Sequence, residues 1–123
     1  MQYEYFYGAQ AEQFSFYRIP KALFTEPNFR ELSTDAKVLY GILLDRMSLS
    51  LKNQWLDAQN KVYIIFTVEE IMDALNCANQ KATRLMVELE KQAGLIERKR
   101  QGLGRPNLIY VKKLRSNDKL QEL

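Results

Sequence analysis

A short polar segment that starts at residue 79 carries side chains whose donors and acceptors could pair with the edges of nucleotide bases. Glutamine can pair with adenine and arginine with guanine through two hydrogen bonds each, which discriminates directly between base pairs. If these residues lie near the start of a helix, they can enter the major groove of double-stranded DNA together. The candidate base-contacting residues are Asn79, Gln80, Lys81, Thr83 and Arg84.

A basic segment follows at 98–115 and would supply charge rather than sequence discrimination. It contains seven lysine and arginine residues and no acidic residue, and since the whole chain carries +3, the remaining residues carry −4. This separation of charge is expected of a phosphate-binding surface, whereas a solvated pair of strands normally mixes both signs. We therefore favour a nucleic-acid partner over a plain charged surface. The candidate DNA-contacting residues here are Arg98, Lys99, Arg100, Arg105 and Asn107.

The periodicity of apolar residues predicts that the first segment is a helix over residues 79–93. Its apolar residues recur at the spacing of one helical face, and they are Ala82, Leu85, Met86 and Leu89. The helix is basic at its start and acidic further along, and Gly94 would end it. Taken alone, these features fit a recognition helix and an ordinary solvated amphipathic helix equally well. The basic segment that follows favours the recognition helix.

The neighbouring elements predict an α+β fold, a winged helix-turn-helix with an aromatic-rich N-terminal extension and a basic β-hairpin wing. Thr67 and Glu70 form the sequence pattern of a capping box, which predicts a helix over 67–75. A tight turn would connect it to the helix over 79–93, and a hairpin over 95–112 would follow. Helix, turn, helix and basic hairpin is the element order of a winged helix.

Two further elements are predicted before these helices. A helix over 33–50 begins at the N-cap residue Ser33. It is apolar around most of its circumference, so it should be the central, most buried helix. The segments Trp55–Asp57 and Lys61–Phe66 should pair as a hairpin, because Asn60 can adopt the left-handed conformation that such a turn requires.

Aromatic residues are concentrated in the N-terminal extension, residues 1–20, which holds seven of the fourteen in the chain. Such a cluster either covers the core or forms an interface with another molecule. For Phe14–Ile19 we favour the core, whereas for Met1–Tyr7 the two interpretations have equal support. We expect the extension to contribute to a homodimer, because half of the aromatic residues lie within the first seventeen positions.

The composition excludes several classes of protein. A chain of 123 residues fits one domain, 1–123, and the polar residues at 115–123 predict a frayed tail. The chain has no histidine and a single cysteine, which excludes a histidine-built metal site, a serine–histidine–aspartate triad and an internal disulfide. No apolar run approaches membrane-spanning length, and no secretory signal is present. We therefore expect a cytoplasmic protein that is not an enzyme and uses no cofactor or metal.

Several short motifs distributed over residues 14–112 are typical of one protein family. They are Phe16-Tyr17-Arg18-Ile19-Pro20-Lys21, Leu32-Ser33 with Ala36 and Tyr40, Asp45-Arg46-Met47, Trp55 with Asp57, Gly94-Leu95-Ile96-Glu97-Arg98, Gly102-Leu103-Gly104-Arg105-Pro106-Asn107 and Ile109-Tyr110-Val111. Together they resemble the N-terminal domain of plasmid replication initiator A proteins. The chain departs from the family pattern at the residue that opens the recognition helix, which is Ala78 where a serine is usual.

The resemblance implies a winged-helix domain that binds repeated origin sequences in double-stranded DNA as a dimer, on bacterial plasmids or other mobile elements. It also implies a further C-terminal region, beyond this chain, that recruits host replication proteins. The alternative is a winged-helix transcriptional regulator, which uses the same DNA-binding physics and is not separated from an initiator by residues 67–111 alone. A winged helix that binds only other proteins is a third interpretation, and it would lack salt-dependent DNA binding.

Overall fold

The computed structural model describes residues 2–8 and 14–114, in which four α-helices precede two paired antiparallel strands. The predicted helices over 33–50 and 67–75 are confirmed to within two residues. The segment 79–93 is helical as predicted, but its last turn is π-helical rather than α-helical. The elements are α1 (Ala22–Thr25), a 3₁₀ turn (Pro27–Phe29), α2 (Thr34–Lys52), α3 (Val68–Leu75), α4 (Asn79–Val87), the π-helical turn (Glu88–Gln92), β1 (Ile96–Lys99) and β2 (Leu108–Val111).

Helix α2 is the central helix of the fold, as its apolar residues predict. Its N-cap is Ser33, whose Oγ accepts a hydrogen bond from the backbone N–H of Ala36 at 3.2 Å. Leu39 and Leu43 are fully buried, and Tyr40 is nearly so. Around these side chains pack the buried residues of the other elements, which include Leu23, Phe29, Ile64, Ile71, Leu85, Leu89, Ile96 and Ile109.

The N-terminal segment crosses α2 at Gly41, where a larger residue would not fit. A Cβ atom at Gly41 would lie 2.8 Å from Cγ1 of Ile19 and 3.0 Å from the carbonyl oxygen of Arg18. Ile19 is therefore partly buried, because the backbone itself approaches the helix. This close approach fixes the path by which the extension leaves the core.

The prediction that Phe14–Ile19 belongs to the core is wrong for its aromatic residues. Phe14 is 59% exposed, Phe16 62% and Tyr17 58%. The segment is extended, but it pairs with no strand in the described parts of the chain, so its side chains are not held over a core face. The predicted frayed tail at 115–123 lies outside the described residues.

The segments 55–57 and 61–66 form a minimal hairpin, and the second segment also joins the sheet of β1 and β2. A single antiparallel bridge links Leu56 to Val62, and Asn60 adopts the predicted left-handed conformation with φ of 68°. A second bridge links Ile64 to Ile109 through two N–H···O bonds of 2.9 Å. The predicted antiparallel pairing of the two segments is therefore confirmed. The second segment also pairs with β2, and Ile64, at that bridge, is buried in the core.

Strands β1 and β2 pair antiparallel, with Ile96 opposite Val111 and Lys99 opposite Leu108. The chain enters β1 through Gly94, whose φ of 67° ends the preceding helical segment as predicted. The result is an α+β arrangement of helices and one small antiparallel sheet. Within residues 2–8 and 14–114, no helix combines the length and the apolar character that crossing a membrane requires.

Candidate nucleic-acid interface

Helices α3 and α4 are joined by a tight turn, and a capping box begins α3. The hydroxyl of Thr67 accepts a hydrogen bond from the Glu70 N–H at 3.2 Å, and the Glu70 carboxylate accepts one from the Thr67 N–H at 3.0 Å, so the predicted capping box is confirmed. Asn76 ends α3 with φ of 52°. The next helix begins after Ala78, whose side chain makes no capping hydrogen bond.

The predicted base-contacting residues surround the start of α4, and four of the five are exposed. Ala82, Leu85 and Met86 face the core, which turns the opposite side of the helix to solvent. The hydroxyl of Thr83 lies 3.5 Å from Oδ1 of Asn79, so these two side chains interact across one turn. The exposed members of the predicted set are Asn79, Gln80, Thr83 and Arg84.

Lys81, the fifth predicted residue on α4, is paired with an acidic residue of α2. Its Nζ lies 2.6 Å from Oδ2 of Asp35, and the two side chains are 42% and 50% exposed. An exposed pair of this kind is weak and is screened by salt. Asp35 stands in the first turn of α2, and its contact with Lys81 was not predicted.

The hairpin presents most of its predicted contact residues to solvent. Its tip is ordered by two bonds, one from the side-chain amide of Gln101 to the carbonyl of Pro106 at 2.8 Å and one from the Arg105 N–H to the carbonyl of Gly102 at 3.3 Å. A cleft of about 260 Å³ separates this tip from the start of α3 and from α4. The exposed predicted residues of the hairpin are Lys99, Arg100, Arg105 and Asn107.

Arg98 differs from the other predicted hairpin residues because its side chain is bonded to Glu90 of the π-helical turn. Its Nε and Nη2 donate to Oε1 of Glu90 at 3.0 and 2.7 Å, and its backbone N–H donates to Oε2 at 3.3 Å. The side chains are only 25% and 17% exposed. The hydrogen bond from Arg98 holds the pKa of Glu90 below its usual value, against the opposing effect of burial.

Glu88, two residues before Glu90, completes the N-terminus of α2. Its carboxylate accepts two hydrogen bonds from Ser33, one from the backbone N–H and one from the hydroxyl, both at 2.9 Å. The residue that would normally complete a local capping box is Ala36, which has no polar side chain. The sequence analysis missed this role for Glu88, because the two residues are 55 positions apart and no local pattern connects them.

Two further polar contacts hold the hairpin to the rest of the fold, and neither was predicted. The Tyr110 hydroxyl donates to the Asp57 carboxylate at 3.0 Å, and the Tyr40 hydroxyl donates to the carbonyl of Lys112 at 2.6 Å. The pKa of Asp57 is lowered, mainly by the backbone N–H of Lys61. Burial raises the pKa of Tyr40 to about 12, so this hydroxyl stays protonated and continues to donate.

Comparison with known proteins places this arrangement in one family. The family model for the N-terminus of replication initiator protein A (RepA) matches residues 15–122. A curated relative named 41 kDa protein, from Lactobacillus helveticus, is 32% identical over 92 residues, which are 75% of this chain and 26% of that protein. The chain thus spans about a quarter of the length of this relative.

Three solved structures resemble the whole fold. One described as the N-terminal domain of a DNA-binding protein is 36% identical with a TM-score of 0.75, covering 98% of this chain and 93% of its own. One described as a Rep-DNA complex has the same identity and TM-score and covers 97% and 92%. One described as an MDR initiator is 38% identical with a TM-score of 0.72 and covers 97% and 95%.

Proposed function

This chain belongs to the family of replication initiator protein A N-terminal domains, and from that premise we propose that it binds repeated origin sequences in double-stranded DNA. Binding would initiate replication of a plasmid or another mobile element. The likeness to a structure described as a Rep-DNA complex supports a DNA partner. The family match favours an initiator over a transcriptional regulator, which the sequence left as the alternative.

The proposed binding unit is a winged helix. Helix α3 and the recognition helix α4 form its helix-turn-helix, and the wing consists of β1, the tip 100–107 and β2. The observation that carries the proposal is that α4 and the basic hairpin line one cleft, α4 through Met86 and the hairpin through Arg105 and Asn107. A single duplex could therefore contact both elements at once.

The residues of this surface have different proposed roles. Gln80 and Arg84 would contact base edges in the major groove, because both can make two hydrogen bonds to one base. Lys99, Arg100 and Arg105 would contact phosphates, which raises affinity with little sequence information. The proposal includes no catalytic step, no metal and no cofactor.

The proposal extends to the assembly and the cellular setting of the chain. We propose that the N-terminal extension supports a homodimer and that residues 1–123 form one domain. Host replication proteins would be recruited by a region that this chain does not contain. The chain matches only 26% of the length of its curated relative. The setting would be the bacterial cytoplasm.

The direct test is a binding scan of the purified chain against overlapping fragments of the replicon that encodes it. We expect retention of fragments that carry direct repeats, and a log affinity that falls linearly with log salt concentration. Equal binding to all fragments would contradict origin recognition. Binding that does not change with salt would contradict a phosphate-contacting surface.

A further inference from the structure

The π-helical turn Glu88–Gln92 is bonded to two different elements. Residues two apart in a helical turn point to nearly opposite sides of its axis. Glu88 therefore reaches the N-terminus of α2, while Glu90 reaches β1, and between them Leu89 is fully buried in the core. The turn directly continues α4, and only residues 93–95 separate it from β1.

Glu90 holds the strand itself as well as the side chain of Arg98. It accepts the backbone N–H of Arg98 in addition to two guanidinium donors, so β1 is fixed at that residue even if the side chain rotates. Both guanidinium nitrogens donate to the same carboxylate oxygen, and such hydrogen bonds between charged groups are stronger than neutral ones. The partial burial of both side chains reduces screening by solvent.

We propose that Glu90 is a positioning residue for DNA binding, which through Arg98 holds the wing at a fixed orientation to α4. The inference rests on the proposed function, since it requires that α4 and the wing contact one duplex. A wing that is already oriented loses little conformational entropy when it binds DNA. Its phosphate contacts then set the register in which α4 meets the bases.

If Glu90 has this role, removing its charge should change the affinity for DNA in the direction opposite to that expected from electrostatics alone. Removing a carboxylate from a DNA-binding domain should raise its affinity for any duplex, because one repulsive charge is lost. Losing the fixed orientation of the wing should lower affinity only for the duplex that α4 and the wing engage together. The ratio of the two affinities therefore separates positioning from charge.

The test compares Glu90→Gln with Glu97→Gln, which makes the same charge change at an exposed side chain of β1. Two probes are used: a duplex selected by the unmodified chain from random-sequence DNA, and its scrambled version. Glu97→Gln should bind both as well as the unmodified chain or slightly better. Glu90→Gln should bind the selected duplex about tenfold more weakly, a loss of ~1.4 kcal/mol, without weaker binding to the scrambled one.

Arg98→Lys should reproduce the loss of discrimination. A lysine ammonium keeps the positive charge, but it cannot donate to Glu90 through two nitrogens as the guanidinium does. Glu88→Gln is the matched structural control: it removes the negative charge and one of the two acceptors that bind Ser33 at the N-cap of α2, so it should lower Tm without changing the affinity ratio. If Glu90→Gln lowers Tm but leaves the ratio as in Glu97→Gln, its role is structural only and the inference is overturned.

A measurement without DNA tests whether Glu90 orients the wing, independently of whether the chain binds an origin. Backbone ¹⁵N relaxation should show greater mobility of amides 98–107 in Glu90→Gln, but not in Glu88→Gln or Glu97→Gln. An equally rigid wing in Glu90→Gln would overturn the positioning role. If the unmodified chain selects no duplex at all, then the proposed function fails, and the positioning role in DNA binding fails with it.

Discussion

The cationic residues of the candidate interface are not equivalent, because two of them are already paired with carboxylates. Asp35 holds Lys81 and Glu90 holds Arg98, whereas Arg84 and Arg105 make no ion pair with the described residues. Charge counting along the sequence assigned the same role to all members of the basic segment. The pairing depends on side chains that only the fold brings together.

Exchanging single arginines for alanine should separate base contacts from phosphate contacts. Arg84→Ala should cost about 1–3 kcal/mol on a selected duplex and much less on a scrambled one, because a two-bond contact to guanine is lost. Arg105→Ala should weaken both complexes and reduce the slope of log affinity against log salt by about one. Titrations of both variants on both duplexes over a salt series measure these effects.

Lys52→Ala, an exposed cation at the end of α2, is the control for a general loss of charge. If Arg84→Ala lowered both affinities equally while Arg105→Ala abolished discrimination, the hairpin tip would supply the base contacts. The roles of the two elements would then be exchanged.

At the scale of elements, local sequence signals predicted the helices well and the sheet incompletely. The N-caps Ser33 and Thr67 and the glycine at 94 are local signals, so the helix ends were found within two residues. The pairing of Ile64 with Ile109 joins residues 45 positions apart, and no local pattern contains it. The exposure of Phe14, Phe16 and Tyr17 was missed for a related reason, since it depends on whether a distant strand pairs with this segment, and none of the described strands does.

The start of α4 should be stabilised by Ala78→Ser. Ala78 has φ of −85° and ψ of 170°, the conformation in which a serine Oγ accepts a backbone N–H of the first turn. We expect the free energy of unfolding to rise by about 0.5–2 kcal/mol in urea titrations. Ala74→Ser, inside α3, is the control and should give no gain, because serine is a poorer helix former than alanine.

An unchanged urea midpoint in Ala78→Ser would mean that the first turn of α4 gains nothing from a cap. The absence of the usual serine would then be neutral for folding.

At the scale of the whole molecule, the N-terminal extension leaves aromatic surface uncovered. Tyr3, Tyr5, Phe6 and Tyr7 are 62–86% exposed. The ring of Phe14 contacts Phe6 and Phe16 edge to face, with centroids 6.0 and 6.4 Å apart. Clustered exposed aromatic residues are typical of protein interfaces.

Removing residues 1–13 should therefore weaken self-association of the chain. We expect sedimentation equilibrium to show a concentration-dependent dimer for the unmodified chain and a larger dissociation constant for the truncated one. Removal of residues 115–123 serves as the control and should leave the dimer intact. Two chains that remain equally monomeric at high concentration would contradict a role for the extension in assembly.

The bond between Glu88 and Ser33 also has a consequence for how the chain acquires its structure. Helix α2 cannot complete its N-terminus until residue 88 is present, so a nascent chain that ends earlier holds only part of the helix's stabilising contacts. The bond from Tyr40 to Lys112 spans 72 positions, so it too can form only after a distant part of the chain is present. Contacts of such sequence separation slow folding, so the packing of the central helix against the hairpin should be completed only after both segments have been synthesised.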